Sequence, residues 1–282
     1  MSVSVQAATS VPEFRSELEQ LVLDQPAVTA IERTIEPMHV ARVPIHPVDM
    51  QAALARVDEF ISTRTPHYNI AINAAKIVEF QDDEALRNAI DEAHLLTADG
   101  QAVVWASRLL GQPVPARVAG TDLMQALLAH AGQRDYSVYL LGAKDEIVRA
   151  CVAKAQKEHP SLRIAGYRNG YFRRDEEDEL VAAIRAANPD ILFLGFGTPA
   201  KEYFMHRHYR ALGVPFVMGV GGSFDVYAGL VARAPRWMQR AGLEWAFRLA
   251  QEPRRMWKRY LVGNTRFAWI IARELFTRRA RP

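Results

Sequence analysis

Between Asn188 and Gly229 the chain reads NPDILFLGFGTPAKEYFMHRHYRALGVPFVMGVGGSFDVYAG. Two short apolar runs, Ile191–Leu194 and Pro215–Met218, each empty into a glycine-rich turn, with a charged helical pattern between them. An apolar run without polar alternation fits a strand buried on both faces, as in parallel sheets. Parallel neighbours need a crossover, usually a helix, so this stretch restricts the chain to an α/β architecture. Its turns would lie at the carboxyl edge of the sheet, where open α/β sheets bind ligands. Glycine there has two readings: it makes a tight turn, or it bares backbone N–H groups to an anion. Two such turns in succession point to a phosphate-bearing ligand near Gly195, Gly197, Thr198, Gly221 and Gly222.

The same alternation runs back through the chain. Strands are expected at Tyr68–Asn73, Leu162–Gly166 and Tyr136–Gly142, the last ending on Gly142, with a single edge strand over His39–Ile45. Helical spacing predicts helices over Pro47–Arg64, Asp82–Ala93, Gln101–Leu110, Leu123–Ala131, Lys144–His159 and Asp175–Ala187. Asp82 or Asp83 and the Thr121–Asp122 pair suit helix N-caps. The pattern from Tyr68 to Met218 predicts βαβ units and a Rossmann-like, mostly parallel sheet flanked by helices. No GxGxxG turn follows the first strand, and there is no Walker lysine, HExxH or serine elbow.

Asp99 sits where a short apolar stretch, Leu95–Ala98, runs through Asp-Gly into a helix. It reads either as a helix cap or as a carboxylate exposed for acid–base work. Asp225, in the second glycine turn, reads as a turn cap or as a group for sugar hydroxyls. His206 and His208 are two residues apart and do not share a helix face, so they read as structural. The single cysteine, Cys151, lies in a helical pattern and reads as a small core residue.

The net charge of +3 conceals an asymmetry. Residues 229–282 hold 13 Lys/Arg against three Asp/Glu, or +10, and four of the five tryptophans. The rest holds 22 against 29, or −7. A basic, aromatic tail on a mildly acidic body points to a polyanionic partner. Helices are expected over Leu243–Gln251 and Met256–Phe276. The tail could pack on the body or lie on an anionic membrane. A nucleic-acid partner is not expected, because the body supplies no matching basic groove. No segment approaches the roughly 20 apolar residues of a membrane span, and the first residues lack the pattern of a signal peptide. We therefore expect a peripheral extension over 1–37, with a short helix in EFRSELEQLVL, a catalytic domain over 38–228 and an appendage over 229–282.

The blocks LTADG, RVAGTDL, YLLGAKDE, RNGYF, NPDILFLGFGTPAKE, GVGGSFDVYAG, RAPRWMQRAGLEWAFRL and EPRRMWKRYL, in this order, resemble the WecG/TagA/CpsF glycosyltransferases. The resemblance implies an inverting, metal-independent enzyme of bacterial surface-polysaccharide synthesis that needs no cofactor. It would move a sugar from a UDP-sugar to a polyprenyl-diphosphate-linked saccharide at the cytoplasmic membrane face. It implies that Asp99 is the general base, with Asn73 beside it in the position of the family's Thr-x-Asn asparagine. Gly142, Gly195, Gly197, Thr198, Lys201, Glu202, Gly221, Gly222 and Asp225 would line the UDP-sugar. Arg248, Arg254, Arg255 and Arg259 of the appendage would neutralise the leaving group and the lipid surface. Two departures stand out: Ala71 replaces the family's threonine, and Lys201 replaces the glutamine of Pro-Lys-Gln-Glu. They leave the donor sugar open and admit an alternative, a sugar-nucleotide-binding or assembly protein with altered catalysis. A small homo-oligomer is compatible with an exposed apolar tail.

Overall fold

A computed structural model describes residues 35–251 and 253–279. The helix expected in EFRSELEQLVL lies outside the described residues, as do the side chains of Arg255 and Arg259. A small antiparallel hairpin, β1 (Met38–Val40) and β2 (Val43–Ile45), comes first. The single strand expected over His39–Ile45 is thus two, because Ala41 and Arg42 both take positive φ (52° and 69°) and reverse the chain. His46 ties the hairpin to the sheet: its N–H donates to Leu96 O, and its Nδ1 accepts from Leu96 N–H, both at 2.9 Å. That covers an otherwise open sheet edge.

The body follows as α1 (Met50–Thr63), β3 (His67–Ile72), α2 (Ala74–Phe80), α3 (Glu84–Asp91), β4 (Leu95–Ala98), α4 (Gln101–Leu109), α5 (Gly120–Arg134), β5 (Ser137–Gly142), α6 (Asp145–Glu158), β6 (Arg163–Arg168), α7 (Glu177–Ala187), β7 (Ile191–Gly195), α8 (Ala200–Leu212), β8 (Phe216–Gly219) and α9 (Ser223–Tyr227). Strands β3 to β8 form one parallel sheet in the order β4-β3-β8-β7-β5-β6. Alternate side chains go to opposite faces. Leu192 and Leu194 join Ile70, Ile72 and Val217 in one core layer, under α2, α3, α7 and α8. Ile191 and Phe193 join Phe216 and Met218 in the other, under α1, α5 and α6. All four side chains from Ile191 to Leu194 have no accessible surface. At about 1.5–3 kcal/mol for each fully buried large apolar side chain, these central strands fix the register.

Helix caps follow local chemistry. Asp49 accepts from Ala52 N–H, and Asp83 from Leu86 N–H. The Thr121–Asp122 cap is corrected: α5 starts earlier, at Gly120, because Ala119 takes the extended cap conformation. Thr121 and Asp122 therefore lie inside the first turn and are free for other contacts. The tail forms α10 (Arg236–Arg240), α11 (Glu244–Gln251) and α12 (Pro253–Arg279). Helix α12 runs back along α2, burying Phe267 and Ile271 one turn apart. Arg266 pairs with Asp82 (2.5 Å), and Arg278 donates to Leu110 O (2.8 Å) and His39 O (3.3 Å). Trp257, Leu261, Val262, Trp269 and Phe276 remain exposed. No described helix is long and apolar enough to cross a membrane.

Candidate active site

The order β4-β3-β8 creates a switch point. From β3 the chain passes outward to β4, while β8 arrives last on the other side of β3. The crevice beyond the carboxyl ends of these strands is where a doubly wound sheet binds its ligand. Asp99 lies there, one residue beyond β4, and its N–H extends the ladder onto Ile72 O at 2.7 Å. It does not cap α4: the cap residue is Gly100, at φ 120°, with no side-chain cap bond. Asp99 is half-buried. Burial raises its pKa above the usual carboxylate value; Lys76, Arg117 and Arg248 pull it down, and Glu244 pushes it up. A carboxyl perturbed this way in a cleft is the kind of group that moves protons.

Asn73 ends β3 and caps α2, its Oδ1 accepting from Lys76 N–H at 3.1 Å. The cap delivers Lys76 into the crevice floor. Lys76 Nζ donates to Ala71 O (2.7 Å) and reaches Glu202 Oε1 (3.2 Å). Lys201 Nζ approaches the same Glu202 oxygen at 2.8 Å and also donates to Thr198 Oγ1. All three charged side chains are nearly inaccessible. Burial and the neighbouring Lys76 lower the Lys201 pKa to about 8. Burial opposes the Glu202 charge, but the two ammonium groups hold its pKa below the ordinary value. Its second oxygen, Oε2, has no hydrogen-bond partner among the described residues.

The two glycine turns meet this floor, and the structure divides their glycines into two groups. A Cβ on Gly142 would lie 2.5 Å from Gly195 backbone atoms, and one on Gly195 would lie 2.3 Å from the Phe224 ring. One on Gly219 would lie 3.0 Å from Lys201 Cδ. These residues are glycine because something packs on them. Val220 and Gly221 N–H groups both donate to Leu194 O, at 2.9 and 3.2 Å. Of the turn residues expected to offer an N–H group to a phosphate, Gly221 uses its own within the fold. Gly197 faces open space, and Gly222 has only Asp225 Oδ2 near it, at 3.8 Å. Asp225 is half-buried in the first turn of α9.

Over the crevice lies an ionic cluster that sequence reasoning left out of the site. Arg117 bridges Asp122 (3.3 Å) and Glu244 (2.9 Å). Arg233 grips Asp122 through both terminal nitrogens and comes within 3.6 Å of Glu244. These contacts fasten α11 over Asp99. Arg233 stands in RAPRWMQRAGLEWAFRL and Arg117 in the loop before α5, so the types were visible. Their convergence on Asp122 was not. Arg248, on α11, lines a small cavity with Thr121, Val226, Arg233 and Glu244, within electrostatic reach of Asp99. Arg254 is exposed at the start of α12. Cys151 is buried, with its thiol pushed up to about 12 by burial, which fits a core residue. His206 and His208 pair with Glu92 (3.6 Å) and Glu177 (2.8 Å), away from the crevice.

Residues 38–281 match the model of the "Glycosyl transferase WecG/TagA/CpsF family". The chain is 37% identical over 220 residues to the N-acetylglucosaminyldiphosphoundecaprenol N-acetyl-beta-D-mannosaminyltransferase of Bacillus subtilis (strain 168), covering 78% of this chain and 81% of that one. It is also 37% identical over 183 residues to the enzyme of the same name from Bacillus spizizenii, covering 63% and 70%.

Proposed function

The chain belongs to the WecG/TagA/CpsF family of glycosyl transferases, and from that premise we propose that it moves a sugar from a UDP-sugar to a hydroxyl of a polyprenyl-diphosphate-linked saccharide, inverting the anomeric centre without a metal ion. The observation that carries this reading is Asp99: a carboxyl of raised pKa, ringed by cations, at the switch point of a parallel sheet. The curated relatives are named for transfer onto a lipid-linked diphosphate acceptor, which supports the acceptor class.

In this reading Asp99 accepts the proton of the acceptor hydroxyl as its oxygen attacks the anomeric carbon. The new C–O bond forms on the face opposite the breaking bond, and UDP leaves with the electron pair. Charge developing on the diphosphate needs preorganised donors in a dry site. The open backbone at Gly197 and Gly222 and the arginines 117, 233 and 248 supply them. Asn73 holds the first turn of α2 in place below the base, and Asp225 receives donor hydroxyls. The residues after Gly229 close the site, and the exposed Trp257, Leu261, Val262 and Trp269 of α12 rest at the inner membrane face among anionic headgroups.

The test is a panel of UDP-sugars with a detergent-dispersed polyprenyl-diphosphate N-acetylglucosamine acceptor, read by UDP release and by mass gain of the acceptor. One donor should give both, with an inverted linkage by NMR. Absence of UDP release and of product with every donor would sink the reading.

A further inference from the structure

Charge counting at the crevice floor leaves an imbalance. Lys76 and Lys201 are each only about 5% exposed, and Glu202 is fully buried. Both ammonium groups share one oxygen of the one carboxylate, at 3.2 and 2.8 Å. One positive charge is therefore left over in a place where an unpaired charge is very costly. The anions of the cover do not supply the missing charge, because Asp122 and Glu244 are both taken up by Arg117 and Arg233. Asp99 is a further carboxylate among the described residues that acts on this cluster. The backbone also ties the two together: β3 gives its Ala71 carbonyl to Lys76 Nζ and its Ile72 carbonyl to Asp99 N–H, each at 2.7 Å.

We propose that Lys76 and Lys201, bridged by Glu202, are positioning residues whose surplus charge keeps the Asp99 carboxylate ionised and ready to act as base. This rests on the assignment of Asp99 above. The lysines do not swing out to hold the donor. Lys201 is packed along Gly219 and held by Glu202 and Thr198, and Lys76 is held by Ala71 and Glu202. Lysine at position 201 thus helps set the operating pH of the base.

Among the described residues, charged groups from several elements enter the balance at Asp99. Lys76 comes from α2, Lys201 from α8, Arg117 from the loop before α5, Arg233 from the segment after α9, and Arg248 from α11. All of these favour the carboxylate, whereas Glu244, from α11, opposes it. Changing one lysine or Glu202 alters the sum in opposite senses.

The experiment is a pH titration of full-length protein labelled with 13Cγ-aspartate, the Asp99 resonance being assigned by its loss in Asp99→Asn. Lys201→Gln should move the Asp99 midpoint up by one pH unit or more, and Lys76→Met likewise. Glu202→Gln should move it down. Retained near-ultraviolet dichroism identifies the folded variants, and two folded variants of opposite expected sign suffice. With an active donor, the acid limb of kcat/KM should shift with the resonance, so that Lys201→Gln loses about ten-fold below the midpoint and recovers above it. A midpoint that stays put, or moves up in both Lys201→Gln and Glu202→Gln, overturns the proposal. The NMR shift does not depend on turnover. Shifts of opposite sign without any UDP release would therefore leave the electrostatic proposal standing and remove the transferase reading. UDP release abolished by Asp99→Asn, with no shift in the lysine variants, would do the reverse.

Discussion

The two edges of the sheet handle buried ionisable groups in opposite ways. At the amino edge, His67 and His94 sit among Phe60, Tyr68 and Tyr209, and His46 lines a cavity with His94. Burial lowers the pKa of all three, that of His94 to about 4, so the imidazoles are neutral. His46 and His67 each bond the backbone through Nδ1, at 2.9 and 2.6 Å. At the carboxyl edge, Lys76 and Lys201 share one oxygen of Glu202, and its other oxygen has no hydrogen-bond partner among the described residues. A cavity of about 180 Å³ lies at the amino edge beside His46, Arg56 and His94, larger than the one beside Arg248. Void volume is thus a poor guide here. Unresolved charge instead lies at the edge where we propose the site, and a group that only stabilises the fold is cheaper to keep neutral or fully paired.

The strongest way to break this contrast is Asp99→Asn. It should lower UDP-sugar turnover by about 10²–10⁴-fold while leaving the melting temperature nearly unchanged; full activity would show that the charged edge is only structural. Next in size is Arg233→Ala. It leaves Asp122 with Arg117 alone, and should cost roughly 2 kcal/mol in urea denaturation and speed amide exchange across α10 and α11. Unaltered exchange there would show that the cover is held by packing rather than by charge.

The smallest effect separates the edges by pH. His94 is neutral in the fold down to about pH 4, whereas the unfolded chain takes up the proton near 6.5. Stability should therefore fall as pH drops from about 6.5 to 4, and His94→Leu should flatten that fall. Lys201 releases its proton near pH 8 in the fold, against 10.5 when unfolded. The unfolded state binds the extra proton between those values, so stability should rise with pH across that window. The rise should disappear in Lys201→Met. Equal slopes in wild type and variant in either window would erase the distinction.

How much of this could be read from the residues follows from locality. The parallel strands were legible because double-sided burial leaves unbroken apolar runs such as Ile191–Leu194. The place of Asp99 at the sheet edge was legible, because Asp-Gly follows a short apolar run, but position alone reads it as a helix cap, and the cap is Gly100. The β1–β2 reversal was not, since Ala41 and Arg42 adopt positive φ without the glycine or asparagine that usually signals it. The ionic cover was not, because Arg117 and Glu244 are 127 residues apart, and Arg233 and Asp122 are 111 apart. Nothing local marks such pairs. The glycines were seen but partly misread: a glycine required by an aromatic ring on its Cα, as at Gly195 against Phe224, looks in sequence like one that bares its N–H to an anion.

Helix α12 is fastened along its later turns, by Phe267 and Ile271 in the core and by Arg278 on the carbonyls of Leu110 and His39. Its earlier turns carry the exposed Trp257, Leu261 and Val262 and adjoin α11. One continuous helix thus joins the exposed tryptophan side, through the adjoining α11 and its Glu244, to Arg117 and Arg233.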